Sequence, residues 1–535
     1  MSKILVKRSC IKLNNYELGD CKHIENTFSV YDRIRFTSFL KGIQYDDEKK
    51  VLYLPRGIDI EWLERIVGDL AIMDDKVDPY DTISPSAMKY GPRDERQEKA
   101  LRFLIGPENF RRSQLSVNLN TGVGKSYCSI AACICLQYRA IIITRSKEVL
   151  RQWKNYILEY TNIKPNEIYM IEGSPGMNRA LTRSDISKFK FLLVTHGTLK
   201  SFGDNNGWDK VEEFFKKIRV GIKIYDEAHL NFDNMCSIDY HSNTFKTFYV
   251  TATPARSSEE EDRIFQYYFK NVPSIDLFDE DIDPHTNYLA IRFNSKPDAL
   301  EISECASGQY KFNKNIYTNY LVKKDNYYKI LTILLDMVKN RIGKTLVYIG
   351  TNNAIQITYD YIMDNFPEWR GYVGIYSSLV PNNMKEDQLN RKLILSTTHS
   401  CGEAMDIKGL ETTIVLAEPF KSEVLARQTL GRTRANNTQY IEVVDEGFEV
   451  IRRFYYYKQE TYRKYALSCS ELKLKQDDLD NIYNSIMYKR KEYEDFYLFN
   501  HLPWINEESK MMIPAVIIEP NKPAVIINNI YKKEK

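Results

Sequence analysis

The residues of this chain whose types and spacing could do chemistry are Thr121-Gly122-Val123-Gly124-Lys125-Ser126 and, further along, Asp226-Glu227-Ala228-His229. The first set lies between the apolar run 115–119 and an apolar stretch of helical character. Gly122 and Gly124 let the backbone turn sharply, so that N–H groups converge on phosphate oxygens with a helix N-terminus behind them. Lys125 then reaches the β- and γ-phosphates as a point charge, and the Ser126 hydroxyl suits a Mg²⁺ ligand. Asp226 and Glu227 end the run 220–225, where adjacent side chains diverge and take separate tasks. Asp226 is suited to hold Mg²⁺ through water, and Glu227 to orient and activate the attacking water. The chemistry expected is hydrolysis of a nucleoside triphosphate, with Mg²⁺ as its metal. An Asp-Glu pair alone is common on surfaces. It gains weight by following a buried-type strand, 101 residues after Lys125 (226 − 125).

The elements that must position these residues are legible as two successive α/β patterns. Residues 1–85 read as a small α/β unit, with a strand over 51–54, a turn at Pro55-Arg56-Gly57 and an amphipathic helix over 60–67. A polar stretch over 74–85, with Pro79 and Pro85, reads as a linker. Over 86–280, the runs 139–144, 191–195, 220–225 and 247–251 lack polar alternation, as strands buried on both faces of a parallel sheet do. Polar residues follow each run directly, at the carboxyl ends where open α/β sheets bind ligands. Residues 281–465 repeat the pattern, with strands over 344–349, 392–396 and 413–417. Residues 466–535 read as a C-terminal extension that begins with charged helical sequence and ends Pro/Ile/Asn-rich with a basic tip. No fixed-period repeat is present.

Composition excludes several classes. Of the 535 residues, 43% are hydrophobic and 27% charged, the balance of a soluble globular protein. A net charge of +3 means that any polyanion contact must come from local patches. No apolar run reaches bilayer-spanning length, and the first residues lack a secretory apolar core, so a cytoplasmic protein without membrane partners is expected. Nine scattered cysteines without a C-x-x-C pair argue against a zinc site or a disulfide scaffold and for a reducing compartment.

Further segments arrive in order: Arg93-Asp94-Glu95-Arg96-Gln97, Thr251-Ala252-Thr253-Pro254, Asp406-Ile407 and Gln428-Thr429-Leu430-Gly431-Arg432-Thr433-Arg434. Over about 90–465, the ordered set resembles the superfamily 2 helicases of DEAH type. Within them it is similar to the bacteriophage DNA helicases, including the branch-migration type of T-even phages. A strand-turn of the form Leu52-Tyr53-Leu54-Pro55-Arg56-Gly57 is in keeping with that subgroup. The resemblance implies two tandem RecA-like domains, preceded by the small α/β domain and followed by the extension.

For individual residues the resemblance implies that Gln97 reads the adenine edge, that Thr121, Gly122, Val123 and Gly124 cradle the phosphates, and that Asp406 approaches the ribose. His229, Thr251 and Thr253 would couple hydrolysis to movement. Gln428, Arg432 and Arg434 would form the arginine-finger motif reaching over from the second domain. Thr144, Arg145, Thr195 and Thr198 on the first domain, and Thr351, Thr397 and Thr398 on the second, would line a nucleic-acid backbone track, with Gln152-Trp153 beside the first group. Three positions depart from the common pattern: Leu119 and Ala404 where glycine is expected, and Arg434 one residue ahead of its usual place, which Ala435 occupies.

The implied activity is an ATP-dependent DNA helicase, coupling hydrolysis to translocation and to unwinding or branch migration. Its implied partner is DNA, single-stranded or branched and without sequence preference, on a monomeric protein acting in the cytoplasm, the host's if the chain is phage-encoded. A duplex-DNA translocase or an RNA-directed ATPase has the same motor motifs, so RNA is an alternative partner. A non-hydrolysing nucleic-acid clamp is the alternative of a different class. The run Arg452-Arg453-Phe454-Tyr455-Tyr456-Tyr457-Lys458, continued by Tyr462-Arg463-Lys464-Tyr465, either clamps a strand by stacking or packs a helix onto its own domain.

Overall fold

Short apolar runs without alternation become the interior strands of two seven-stranded sheets in the computed structural model. It describes residues 3–32, 37–67, 71–74, 76–119, 124–228, 231–251, 259–277, 284–307, 311–381, 383–401, 407–431 and 438–500. The chain divides into two compact units, Met1–Ile282 and Asp283–Lys535.

The first unit opens with β1 (Lys3–Val6), β2 (Cys10–Asn14), β3 (Ser29–Asp32), β4 (Thr37–Leu40), β5 (Gln44–Asp46), β6 (Val51–Pro55) and β7 (Ala71–Asp74). Five of these form a mixed sheet in the order β5-β6-β2-β1-β7, and β3 and β4 pair as a separate ribbon. The helix Ile60–Val67 stands where its periodicity predicts it. The strands β8 (Gln114–Asn118), β9 (Ala140–Thr144), β10 (Ile168–Ile171), β11 (Phe191–Thr195), β12 (Ile222–Asp226), β13 (Lys246–Thr251) and β14 (Ser274–Asp276) follow, in the order β10-β11-β9-β12-β13-β8-β14. All their pairings are parallel, so the carboxyl ends share one edge. On that edge, Asp226 of β12 lies opposite Val250, and Thr251 of β13 opposite Asn118 of β8.

The small N-terminal sheet shares its core with the large one. Ile4, Leu13 and Leu52 belong to the same apolar cluster as Ile143, Val194, Phe214 and Tyr249. The stretch expected to be a linker is bound over much of its length: Asp78, Asp81 and Ile83 donate backbone N–H bonds to Asn243, Arg219 and Gln137. Asp81 also faces Arg139, a buried guanidinium whose other N–H groups go to the carbonyls of Ile186, Ile218 and Phe189. Prolines and polar residues suggest a linker, but here the intervening N–H groups find partners on the large unit.

The second unit contains β15 (Thr286–Phe293), the short pair β16 (Ala306–Ser307) and β17 (Lys311–Phe312), then β18 (Lys344–Ile349), β19 (Val373–Tyr376), β20 (Leu393–Ser396), β21 (Leu410–Ala417), β22 (Thr438–Asp445) and β23 (Ser468–Lys473). Its main sheet runs β19-β20-β18-β21-β22-β15-β23, again all parallel. The charged sequence expected to open a C-terminal helix is the edge strand β23. Only Leu472 of its residues is buried, and Glu471 bonds Arg292 of β15, so charges that read as a helix face are edge-strand charges. The helix Gln476–Asn500 follows and is tied to the helix Asp325–Val338 through Lys329–Asp480 at 2.7 Å. The basic aromatic run forms the helix Glu449–Tyr465, with Tyr455, Lys458 and Tyr462 buried and Tyr456 and Tyr457 outward. Lys458 bonds Glu442 of β22, so the helix packs onto its own unit.

Under the first large sheet lies a buried polar network centred on Asp239, in the helix Phe232–Tyr240. Its carboxylate accepts hydrogen bonds from Lys223, Tyr225, Tyr249 and Tyr268. Lys223 and Asp239 have no exposed side-chain surface. Removing one partner of such a pair strands the other charge in a dry interior. Asp239→Ala is expected to destabilise the first unit by about 3–5 kcal/mol, read by chemical denaturation of the full chain. A loss below about 1 kcal/mol would show that the network is not a buried charge pair.

Candidate active site

The strand β8 ends at Asn118, and the helix Lys125–Leu136 begins six residues after the end of the apolar run, with Gly124 as its N-cap. Gly124 has φ +107°, a left-handed conformation that an L side chain rarely adopts. A Cβ there would stand 2.3 Å from Nε2 of Gln97, so glycine is required twice over. Gln97 is buried in the first turn of the helix Glu95–Ile105, where its N–H donates to the N-cap Asp94. Its Oε1 accepts from the N–H of Arg93 at 2.8 Å, which locks the amide against the loop.

Lys125 Nζ donates to Glu227 Oε1, and both side chains are nearly buried. Glu227 has φ +50°, an unusual conformation for a residue with a side chain. Its neighbour Asp226 points elsewhere, with Oδ2 accepting from the indole N–H of Trp153 at 2.8 Å. The two carboxylates are therefore held by separate donors, as the divergence at a strand end predicts. Burial first, and then the Glu227 carboxylate, push the Asp226 carboxyl up to about 6, while Lys125 and the indole N–H pull it down. A group in this state gains from a nearby cation.

The residues present fit ATP and Mg²⁺. Asn118 Oδ1 is a buried polar atom without a partner among the described residues, at the strand end that leads into the loop, and Gly124 leaves open the space a Cβ would fill. Ser126 and Asp226 are the oxygen donors suited to Mg²⁺. Among the described residues no group of three or more His, Cys, Asp or Glu could hold a metal. Mg²⁺ is commonly held by one or two protein oxygens together with substrate phosphates, and needs no such cage.

Thr251 ends β13 on the same edge and is buried. Thr121, Gly122, Val123, His229, Thr253, Asp406, Arg432 and Arg434 lie outside the described residues. Gln428 falls on the helix Glu423–Leu430.

The threonines assigned to a nucleic-acid track stand at, or within three residues after, the carboxyl ends of strands. Thr144 ends β9, and its hydroxyl donates to the carbonyl of Ser146. Arg145 follows it, partly exposed. Thr195 ends β11 and caps the next helix by accepting from the N–H of Thr198, whose hydroxyl lies 2.9 Å from its own. In the second unit, Thr351 caps the helix Asn352–Asn365 and bonds Asn319. Thr397 accepts from the N–H of Ser400, and Thr398 gives both its N–H and its hydroxyl to the buried Glu418.

Sequence reasoning placed Trp153 on the track beside these residues; the structure buries it against Asp226. Its spacing held the signal: Val149, Leu150, Trp153 and Ile157 recur on the inner face of the helix Lys147–Tyr160. Glu418 and Asn118 carried no local signal. A glutamate after an apolar run and an asparagine inside one acquire their surroundings only through the fold.

Residues 90–256 match the family described as "Type III restriction enzyme, res subunit". The chain is 22% identical over 338 residues to the transcript termination protein A18 of Yaba monkey tumor virus (strain VR587), covering 60% of this chain and 65% of that protein. It is 24% identical over 144 residues to the putative DNA 3'-5' helicase Rad25 of Haloarcula marismortui, covering 27% of this chain and 20% of that protein. It thus spans less than two thirds of the length of either relative. Among solved structures, S. cerevisiae Dbp5 bound to RNA and ADP BeF3 superposes with a TM-score of 0.50 at 14% identity, covering 74% of this chain and 93% of that one. The fold is thereby that of tandem RecA-like domains, as the sequence predicts. The family match is confined to residues 90–256, and the likeness to the solved structure, at 14% identity, is one of fold.

Gly124→Ala should both strain the backbone and collide with Gln97. A destabilisation of about 1–3 kcal/mol, together with loss of ATP affinity in equilibrium binding, is the expected outcome. Unchanged melting and binding would show that the loop does not need this conformation.

Proposed function

We propose that the chain is a nucleic-acid-dependent ATPase of the DEAH type, an ATP-dependent DNA helicase that translocates on one strand and unwinds or branch-migrates DNA. The observation that carries this reading is the contact of Lys125 with Glu227 beside Asp226, on the carboxyl edge of a parallel sheet.

In the proposed cycle, Lys125 leaves Glu227 for the β- and γ-phosphates as ATP settles on the loop residues Thr121–Gly124 and the helix N-terminus behind them. Gln97 takes the adenine edge and Asp406 approaches the ribose. Glu227, released from its ion pair, accepts a proton from the water that attacks the γ-phosphorus, and the bond from that phosphorus to the β–γ bridging oxygen breaks. Ser126 and Asp226 would hold Mg²⁺, which supplies charge neutralisation on the phosphate oxygens when bound. Arg432, supported by Gln428 and Arg434, stabilises the charge spread over the transferred group. His229, Thr251 and Thr253 link the state of the nucleotide to movement of the two units. Thr144, Arg145, Thr195, Thr198, Thr351, Thr397 and Thr398 mark the segments that grip backbone phosphates, through backbone amides and the charge of Arg145, without reading bases.

The threonine hydroxyls are engaged in caps and turns, so their contribution to that grip is to present the amides and loop geometry around them. One base-pair step costs about 1.4 kcal/mol to open, within what hydrolysis of one ATP supplies. We place the protein in the cytoplasm as a monomer. Among the described residues no helix is long and apolar enough to cross a membrane.

A second reading is an RNA-directed ATPase or a duplex-DNA translocase. It is favoured by the transcript termination protein among the relatives. ATP turnover measured with single-stranded DNA, duplex, four-way junctions and RNA separates the two: strongest stimulation by RNA or by blunt duplex overturns the helicase reading. Lys125→Ala should abolish hydrolysis. Glu227→Gln should retain ATP binding while turnover falls by about 10²–10⁴. Arg432→Ala should cost about 10³–10⁵ in turnover with ATP affinity little changed, and a pure affinity defect would contradict its assignment. Polynucleotide affinity should fall steeply with added salt.

A further inference from the structure

Asp226 has a second partner besides the loop chemistry, and that partner is 73 residues away in sequence. Trp153 lies on the helix Lys147–Tyr160, whose inner face consists of Val149, Leu150, Trp153 and Ile157. That helix is capped by Ser146, directly after Thr144 and Arg145 at the end of β9. The indole is 1% exposed, and its N–H meets Asp226 Oδ2 at 2.8 Å. A buried tryptophan needs an acceptor for that N–H, and backbone carbonyls commonly serve. Here the acceptor is the carboxylate that the hydrolytic reading reserves for Mg²⁺.

We propose that Trp153 is a positioning residue for the divalent-cation site, holding the Asp226 carboxylate in the orientation that receives Mg²⁺. The proposal rests on the motor reading of the preceding subsection and deepens it. The chemistry favours an indole for this task over a charged donor. A lysine or arginine at this distance would compete with the cation by repulsion, and a hydroxyl could rotate away. The indole N–H is a fixed, neutral, single donor, set in place by ring packing. It engages one oxygen and carries no net charge toward the metal. Lys125 holds the neighbouring Glu227, but it must leave when phosphates arrive. Trp153 has no competing duty in the cycle, so it can keep Asp226 oriented whether or not nucleotide is present. Groups that orient a metal ligand in this way commonly change metal affinity by about 10–100-fold when removed.

The test uses the full-length chain with Trp153 replaced by 3-benzothienylalanine, which exchanges the indole N–H for sulfur and keeps the ring shape. Trp153→Phe is the second variant. The probe is N-methylanthraniloyl-ADP, whose affinity is measured in EDTA and across a Mg²⁺ titration. The expected result is affinity in EDTA equal to that of the unmodified chain, with half-saturating Mg²⁺ raised about 10–100-fold in the isostere and in Trp153→Phe. An isostere with the unmodified Mg²⁺ dependence overturns the proposal. So does an isostere that weakens binding equally with and without Mg²⁺, which is the mark of a packing role alone. If Trp153→Phe fails to fold, the isostere decides. Should the unmodified chain itself bind nucleotide without any response to Mg²⁺, the motor reading falls first, a result distinct from failure of the tryptophan assignment.

Discussion

Two opposite charges meet at the carboxyl edge of the first large sheet, Lys125 on one element and Glu227 on another, and the rest of the site is arranged around that meeting. Each is nearly buried, and neither charge would be tolerable there without the other. Lys125 is placed by a helix whose N-cap must be glycine. Glu227 is placed by a strand end followed by a left-handed turn of the backbone. In the proposed cycle a phosphate replaces the carboxylate as the lysine's partner, and Glu227, deprived of its counter-charge, becomes the stronger base.

What keeps the carboxylate side of this arrangement in place lies beneath the sheet. Tyr225 immediately precedes Asp226, and its hydroxyl bonds Asp239; Tyr249, on the neighbouring β13, bonds the other oxygen of the same carboxylate. The helix that carries Asp239 begins shortly after Glu227. The strand and the helix that follows it are therefore clamped to one buried anion, with Asp226 at the strand's end and Glu227 directly after it. The N-terminal sheet closes the other side of this network, with Ser9 contacting Lys223. It acts as part of the scaffold of the first unit, sharing its apolar core.

Much of the fold was legible because its strands are buried on both faces. Such runs carry no competing helical pattern, so 191–195 and 344–349 coincide with β11 and β18 to the residue. Legibility failed where charge stood for more than one structure. The polar segment over 74–85 is pinned by backbone bonds that no side chain advertises. The charged strand β23 is an edge, where polar residues face water as they do on a helix. The basic aromatic run is a helix whose tyrosines pack inward at one spacing and outward at the next.

By itself the sequence determined the chemistry on offer: glycines, a lysine, a serine and two carboxylates, in an order and on elements that suit a triphosphate. Local chain geometry suffices for that, because a strand, a tight turn and a helix N-terminus are each encoded within a few residues. Only the tertiary structure decided which group holds which. The pairing of Trp153 with Asp226, of Gln97 with Gly124, and of Glu418 with Thr398 joins residues 73, 27 (124 − 97) and 20 positions apart. Those contacts arise from strand order and helix packing, which bring distant positions together without leaving any mark on the residues between them.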